Sequence, residues 1–513
     1  MDHPRKETAM TRLFRLAALA AAAALLAASP AVAEPDAVRF RSDADAFIRR
    51  AMDRIGVVPG LAIAVVDGDE TVLTAGYGVA DLATGAPVDA DTRFYIASST
   101  KSFTALAIAA MDARGEIDLA SPLSAWSSAS GLPGDIADRV SLADLLSHRS
   151  GLDNSPMSYR AAFSGDHTPE VMQRLIAATV TLDDAPYGTF RYSNAGYNLA
   201  TTLLEARDGR DWRRLVRDEV LTPLGMADTT GWLSEARADG AVIAAGHLGH
   251  PADGPVRSPL QKTDATMQSA GGLVSTPGDM ARWLEVQIND GVLDGRRIFP
   301  EGLVASTHQP LAANETTFGP YTRESYGLGW QIGRYGDDVL IHHFGNFAGS
   351  RAHVSFMPAR RIGVVVMVNE DVLAGGLADL VANYVYDWRA GRPDLEAFYE
   401  AAVGDLVDRR DRGRVGIARQ QAERAARPSM LARPVAAYVG TYESPLLGTV
   451  RIAERDGAMV VSMGVMEAVA ESFTQPESVR VELAPMQGQS IQFGGDGDAP
   501  DRLVMMGETF LRR

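Results

Sequence analysis

No cysteine occurs anywhere in the 513 residues, which excludes disulfides, thiolate metal sites, a cysteine nucleophile and a lipid-anchored N-terminal cysteine. Lysine is almost as scarce: of 49 basic residues only Lys6, Lys101 and Lys262 are lysine. Arginine therefore carries the generic positive charge, and each lysine stands out because a desolvated lysine can give up its proton whereas arginine cannot. Cations as a whole are in deficit, 49 against 65 acidic residues for a net charge of -16. No basic tract interrupts that balance, so a nucleic-acid partner, which needs clustered positive charge, is not expected. The nine histidines show no metal spacing such as His-Glu-x-x-His, and neither a metal nor another cofactor is expected. Beyond the N-terminus no apolar run is long enough to span a bilayer, so no stable membrane anchor is expected either.

What is present begins with Arg12 and Arg15, followed by an apolar run from Leu16 to Ala28 and then Ser29-Pro30-Ala31-Val32-Ala33. Small residues at both positions of a signal-peptidase site make 1–33 a secretory signal cut after Ala33, with Met10 an alternative to Met1 as the start. A periplasmic or secreted protein follows. The length and a 46% hydrophobic content allow a sizeable core and two domains.

The pattern along the chain predicts an amphipathic helix from Asp43 to Arg54, then a hairpin of Leu61–Val66 and Thr71–Tyr77 turning at Asp67-Gly68-Asp69. A helix-rich stretch with long loops runs from about Ile117 to Asp264. Strands are predicted at Tyr326–Ile332, Arg351–Pro358 and Ile362–Asn369, and a covering helix at Leu377–Trp388. Strands early and late in the chain around a helical insert imply one antiparallel sheet flanked by helices, an α+β fold over 34–393. Residues 394–432 read as a charged linker helix. From 433 to 513 short alternating segments with turn residues between them predict a small all-β unit, barrel-like by strand count, and a candidate surface for oligomerisation.

The chemistry concentrates at Phe94–Ala105. Ser98 and Lys101 are one turn apart at the start of an apolar helix, so the amine overhangs the hydroxyl, the arrangement of a nucleophile and a proton acceptor. Lowering a lysine pKa from about 10.4 to about 7 costs roughly 4 to 5 kcal/mol, which burial among apolar neighbours can supply. Tyr192 and Asn194 lie just before an apolar helix through Leu199, Leu203 and Leu204. From such a loop a tyrosine can relay a proton and an asparagine can hold a carbonyl or the lysine. His342-His343-Phe344-Gly345-Asn346 lies between two predicted strands. Lys262-Thr263-Asp264 reads as a surface loop, and His148 as bonded within its own loop.

In that order and at those separations, Ser98-x-x-Lys101, Tyr192-x-Asn194 and His343-Phe344-Gly345 resemble the serine β-lactamase and penicillin-binding-protein superfamily. The likeness is to its class C-related branch of D-Ala-D-Ala carboxypeptidases, D-aminopeptidases and esterases. Leu145–Leu152, Pro223–Met226, Ala270–Leu273 and Tyr326–Trp330 are similar to recurrent stretches of that family, and the β-rich C-terminus to a domain appended to some members. The resemblance implies Ser98 as acylated nucleophile, Lys101 as base or electrostatic partner and Tyr192 as proton relay. It further implies Asn194 on the substrate amide and the backbone N–H groups of Ser98 and Asn346 as the oxyanion hole. His343 and Gly345 complete the substrate-binding set, but His-Phe-Gly replaces the usual Lys-Thr-Gly, whose lysine and threonine grip a carboxylate. The expected activity is thus an exported serine hydrolase that cleaves a small ester, amide or peptide through an acyl-enzyme. Short acyl esters or D-amino-acid peptides are expected ahead of β-lactams. A β-lactamase or D-Ala-D-Ala carboxypeptidase is the alternative, and a penicillin-binding or cell-wall sensor with little turnover is the rival of another class.

Overall fold

The computed structural model describes residues 34–129, 131–250 and 254–513; the proposed signal segment lies outside the described residues. After helix α1 (Glu34–Ile55) come strands β1 (Gly60–Asp67), β2 (Glu70–Asp81) and β3 (Ala86–Pro87). The catalytic-motif helix α2 (Thr100–Ala113) and helix α3 (Asn194–Asp208) belong to the helix-rich insert, which ends near α4 (Pro277–Ile288). The chain then returns to the sheet with β4 (Ala312–Phe318), β5 (Tyr321–Tyr326), β6 (Gln331–Tyr335), β7 (Asp338–His342), β8 (Gly345–Phe347), β9 (Ser350–Met357) and β10 (Ile362–Val368). Helices α5 (Gly376–Arg389) and α6 (Leu395–Ala425) follow.

The ten strands form one antiparallel sheet ordered β4-β5-β6-β7-β9-β10-β1-β2-β3, with β8 paired to β9. Early β1 sits between β2 and late β10, Ile63 facing Ala75 on one side and Val366 on the other. Both faces of this centre are covered, which is why Leu61–Val66 is apolar without alternation. Val354 and Phe356 join the core that holds Met280, Trp283 and Leu284 of α4. Between them Ser355 points the other way and hydrogen-bonds the Tyr386 hydroxyl of α5 at 2.7 Å. The sheet is therefore sandwiched between helices, and α2 lies on the α4 side, Phe103 stacking on Trp283 with ring centres 3.8 Å apart.

One predicted strand, Tyr326–Ile332, is broken in the middle. Its ends belong to β5 and β6, but Gly327–Trp330 is the turn between them, because Gly329 takes φ of 81° and passes so close to α2 that a Cβ there would lie 2.8 Å from the Lys101 carbonyl oxygen. Lys262 is also misread as surface: it is only 7% exposed, with its amine 5.9 Å from the Tyr95 ring centre.

The last nine strands, from Gly440–Ser444 to Glu508–Arg512, make a second antiparallel sheet. Its two edge strands, Met466–Val469 and Glu471–Ser472, are separated in the chain by Ala470 alone. Edges that adjacent in sequence force the sheet to curl into a nearly closed barrel. Alternate residues such as Leu503 and Met505 fill it, and its core runs on without a break into Tyr159, Ala162 and Phe347. The Val465 N–H donates to the Ser164 carbonyl at 2.8 Å beside Gly464, where any Cβ would collide with that oxygen. Helix α6 is packed as well, burying Tyr399, Val403 and Leu406.

Candidate active site

Ser98 sits in a 3-10 turn, Ala97–Ser99, leading into α2. Ala97 holds a left-handed φ of 46°, a conformation that costs an alanine on the order of 1–2 kcal/mol and is kept by its surroundings. Those surroundings are tight: a Cβ on Gly345 of β8 would lie 2.0 Å from the Ile96 carbonyl oxygen and 3.0 Å from the Ser98 nitrogen. Only glycine lets β8 cross the serine turn. The Ser99 hydroxyl ties the two together by donating to the His343 carbonyl at 2.7 Å.

Lys101 is fully buried. Its Nζ lies 2.7 Å from Asn194 Oδ1, 2.7 Å from the Ala270 carbonyl and 3.4 Å from Ser98 Oγ. No carboxylate forms an ion pair with it among the described residues, and burial holds its pKa well below the ordinary lysine value. A neutral amine has two N–H donors and one lone pair. The two short bonds to oxygens that carry no proton take both donors, leaving the lone pair for the Ser98 hydroxyl. Protonation would fill that lone pair, so kcat/KM on an uncharged ester should fall as pH drops through the Lys101 pKa and level off above it. A pH–rate profile checks the sign, and a rate flat from alkaline to acidic pH would exclude the assignment.

Tyr192 packs with its ring centre 4.7 Å from Lys101 Nζ and is 40% exposed at the mouth of the cleft. Desolvation raises its phenol above the usual tyrosine value, opposed by a hydrogen bond with the Ser98 side chain and by the Arg323 charge. His148 sets its position. The Arg191 N–H donates to the His148 carbonyl at 2.7 Å and the Ser193 N–H to its Nδ1 at 3.2 Å, clamping the tyrosine from both sides. Accepting through Nδ1 requires neutral imidazole, and burial keeps His148 well below its ordinary pKa. So His148 reaches beyond its own loop.

Ser98, Tyr192 and Asn346 stand between two cavities of about 530 and 490 Å³ and line both. The smaller holds His343, Phe344 and Gly345, the larger Asn194. The candidate residues are thus brought into one cleft. His343 is spoken for: Nδ1 meets the Phe344 carbonyl at 3.0 Å and Nε2 the Tyr326 hydroxyl at 3.1 Å, and burial holds it neutral.

Three features of the cleft escaped the sequence. Arg323 lines the smaller cavity, its Nε donating to His342 Nε2 at 3.2 Å and its guanidinium 4.6 Å from the Phe318 ring centre. It has no ion-pair partner among the described residues. In the larger cavity stands Asp371, whose carboxyl is pushed up to about 7 by burial and the adjacent Glu370. The turn Ala484–Gln487 of the C-terminal barrel forms part of the same wall.

Among the described residues no group of histidines and acids could hold a metal ion, and no helix is long and apolar enough to cross a membrane. The Beta-lactamase family model matches residues 44–384. Unguisins hydrolase ungD of Aspergillus violaceofuscus (strain CBS 115571) is 30% identical over 387 residues, covering 68% of this chain and 67% of that protein. The octameric penicillin-binding protein homologue from Pyrococcus abyssi superimposes with a TM-score of 0.57 at 19% identity. That likeness of fold covers 92% of this chain, and so extends into the barrel, and 99% of the other. D-amino acid amidase from Ochrobactrum anthropi SV3, complexed with L-phenylalanine amide, gives a TM-score of 0.53 at 25% identity over 74% of this chain and 99% of its own.

Proposed function

The chain belongs to the beta-lactamase family and is a serine hydrolase, and from that premise we propose that it works through an acyl-enzyme on Ser98, cleaving short acyl esters or amides of D-amino-acid-containing peptides. The observation that carries this reading is the hydrogen bonding of Lys101, whose one free position faces the Ser98 hydroxyl. The Ser98 proton passes to Nζ as Oγ bonds to the substrate carbonyl carbon. The resulting oxyanion faces the backbone N–H groups of Ser98 and Asn346, each such donor being worth about 10² to 10³ in rate. Tyr192, a poor anion with its raised pKa, hands a proton to the departing alcohol or amine and is refilled from Lys101. Water then repeats the sequence on the ester of Ser98, and the acid leaves. Asn194, which lines the larger cavity, positions Lys101 through Oδ1 and would donate from Nδ2 to the substrate amide. Export to the periplasm or beyond rests on the pattern of residues 1–33.

Arg323 favours a second reading, that of a D-Ala-D-Ala-type carboxypeptidase. His343 and Phe344 cannot grip a carboxylate, but an unpaired guanidinium lining the same cavity can, and one charge-assisted hydrogen bond is worth about 1.5 to 3 kcal/mol. The test is a hydrolysis panel of p-nitrophenyl acetate and butyrate, a D-Ala-D-Ala peptide, its C-terminal amide and a chromogenic cephalosporin. Turnover of the esters and D-peptides is expected, the free carboxylate being preferred over its amide by about tenfold or more, a preference lost in Arg323→Gln. A cephalosporin kcat/KM above that of every ester and peptide would overturn the reading, and a single acylation burst without turnover would mark a sensor instead.

A further inference from the structure

The larger cavity beside Ser98 has an apolar wall of Phe163, Leu260, Met267, Phe347 and Met486, with Asn194, Asn346, Asp371 and Gln487 supplying polar groups around it. Asp371 is the one acidic or basic side chain of its lining, and with its carboxyl pushed up to about 7 it is ionised in part at neutral pH. Its neighbour Glu370 has a purely structural task, accepting the N–H groups of Gly249, Val372, Leu373 and Ala374 at 2.8–3.1 Å. Asp371 is differently placed. Its side chain takes one side-chain hydrogen bond, from Asn346 Nδ2 at 2.5 Å. The Arg351 guanidinium is hydrogen-bonded at 2.5 Å to Asp379 and acts on Asp371 only through space, and the Gly349 backbone N–H also favours the Asp371 carboxylate. No ion pair to Asp371 exists among the described residues. A half-buried carboxylate without a cation bears a desolvation cost that a ligand cation would remove.

We propose that Asp371 anchors a free ammonium group on the substrate, so that the larger cavity selects amino-acid amides or peptides with an unblocked amine and an apolar side chain. The side chain lies among Phe163, Met267, Phe347 and Met486, and the ammonium replaces water on the carboxylate. Asn346 links the two events: its backbone N–H serves the oxyanion, and its side chain holds Asp371 in register with it. With Arg323 across the cleft, the site is negative on one side of Ser98 and positive on the other, matching a short peptide that keeps both termini.

The inference rests on the hydrolase reading for where the ligand sits, and its test separates the two. Calorimetry on full-length Ser98→Ala protein, which binds without acyl transfer, compares D- and L-phenylalanine amide with their N-acetyl forms. The free amine of at least one hand should bind about tenfold or more tightly than its acetylated form, and in Ser98→Ala/Asp371→Asn that ratio should collapse to about one. An acetylated ligand that binds as well as the amine in the Ser98→Ala protein overturns the proposal, and this comparison needs no change at Asp371. A ratio that survives Asp371→Asn while both ligands weaken assigns Asp371 a structural role and overturns it equally. Failure of the hydrolase reading would show instead as ester hydrolysis that persists in Ser98→Ala.

Discussion

Ser98→Ala should give a folded protein whose ester and peptide hydrolysis falls by on the order of 10⁴-fold or more. The Ser98 side chain makes one long hydrogen bond, to Lys101, and a weak one to Tyr192, so its loss costs folding about 1 kcal/mol. The turn itself is held by backbone and by Ser99. Thermal unfolding should move by a few degrees at most, and a fluorophosphonate probe that labels the wild type should leave the variant unlabelled. Labelling that survives would place the nucleophile elsewhere.

Lys101→Arg should lose at least about 10²-fold in kcat/KM, the scale of a positioned proton acceptor. Arginine can keep the contacts to Asn194 and Ala270, but it stays charged and has no lone pair to offer Ser98. It also buries a permanent cation where no carboxylate forms an ion pair among the described residues, so melting should fall as well. Lys101→Met separates the two effects. It matches the shape without the charge, and should be inactive yet melt closer to the wild type. Retention of more than about a tenth of the rate in Lys101→Arg would end the proton-transfer assignment.

The Ser98 and Lys101 pairing was legible because it is local: three positions on a helix bring two side chains to one face whatever the tertiary setting. Lysine scarcity sharpened it. Tyr192 and Asn194 could be read because a loop before an apolar helix has one way to face. The glycine-rich Tyr326–Trp330 stretch was misread since its apolar residues alternate like a strand, while the left-handed Gly329 answers to a distant helix backbone. Lys262 misled for the opposite reason, a charged residue in a loop-like sequence that the fold covers. Arg323 and Asp371 gave no local signal at all. Their meaning comes from having no ion-pair partner among the described residues, which only the packed chain reveals.

The barrel turn at Ala484–Gln487 has a bearing on how such a protein diversifies. In the proposed mechanism bond breaking is confined to Ser98, Lys101 and Tyr192, whereas a piece of the wall that decides what enters belongs to a hairpin of the barrel, whose core is continuous with that of the hydrolase part. Met486, at that tip, is 59% exposed, so exchanging it costs little in stability. Selectivity can therefore drift by substitutions in a two-residue turn while the acylation machinery is inherited unchanged, and descendants sharing one reaction can part company over their substrates without passing through an inactive form.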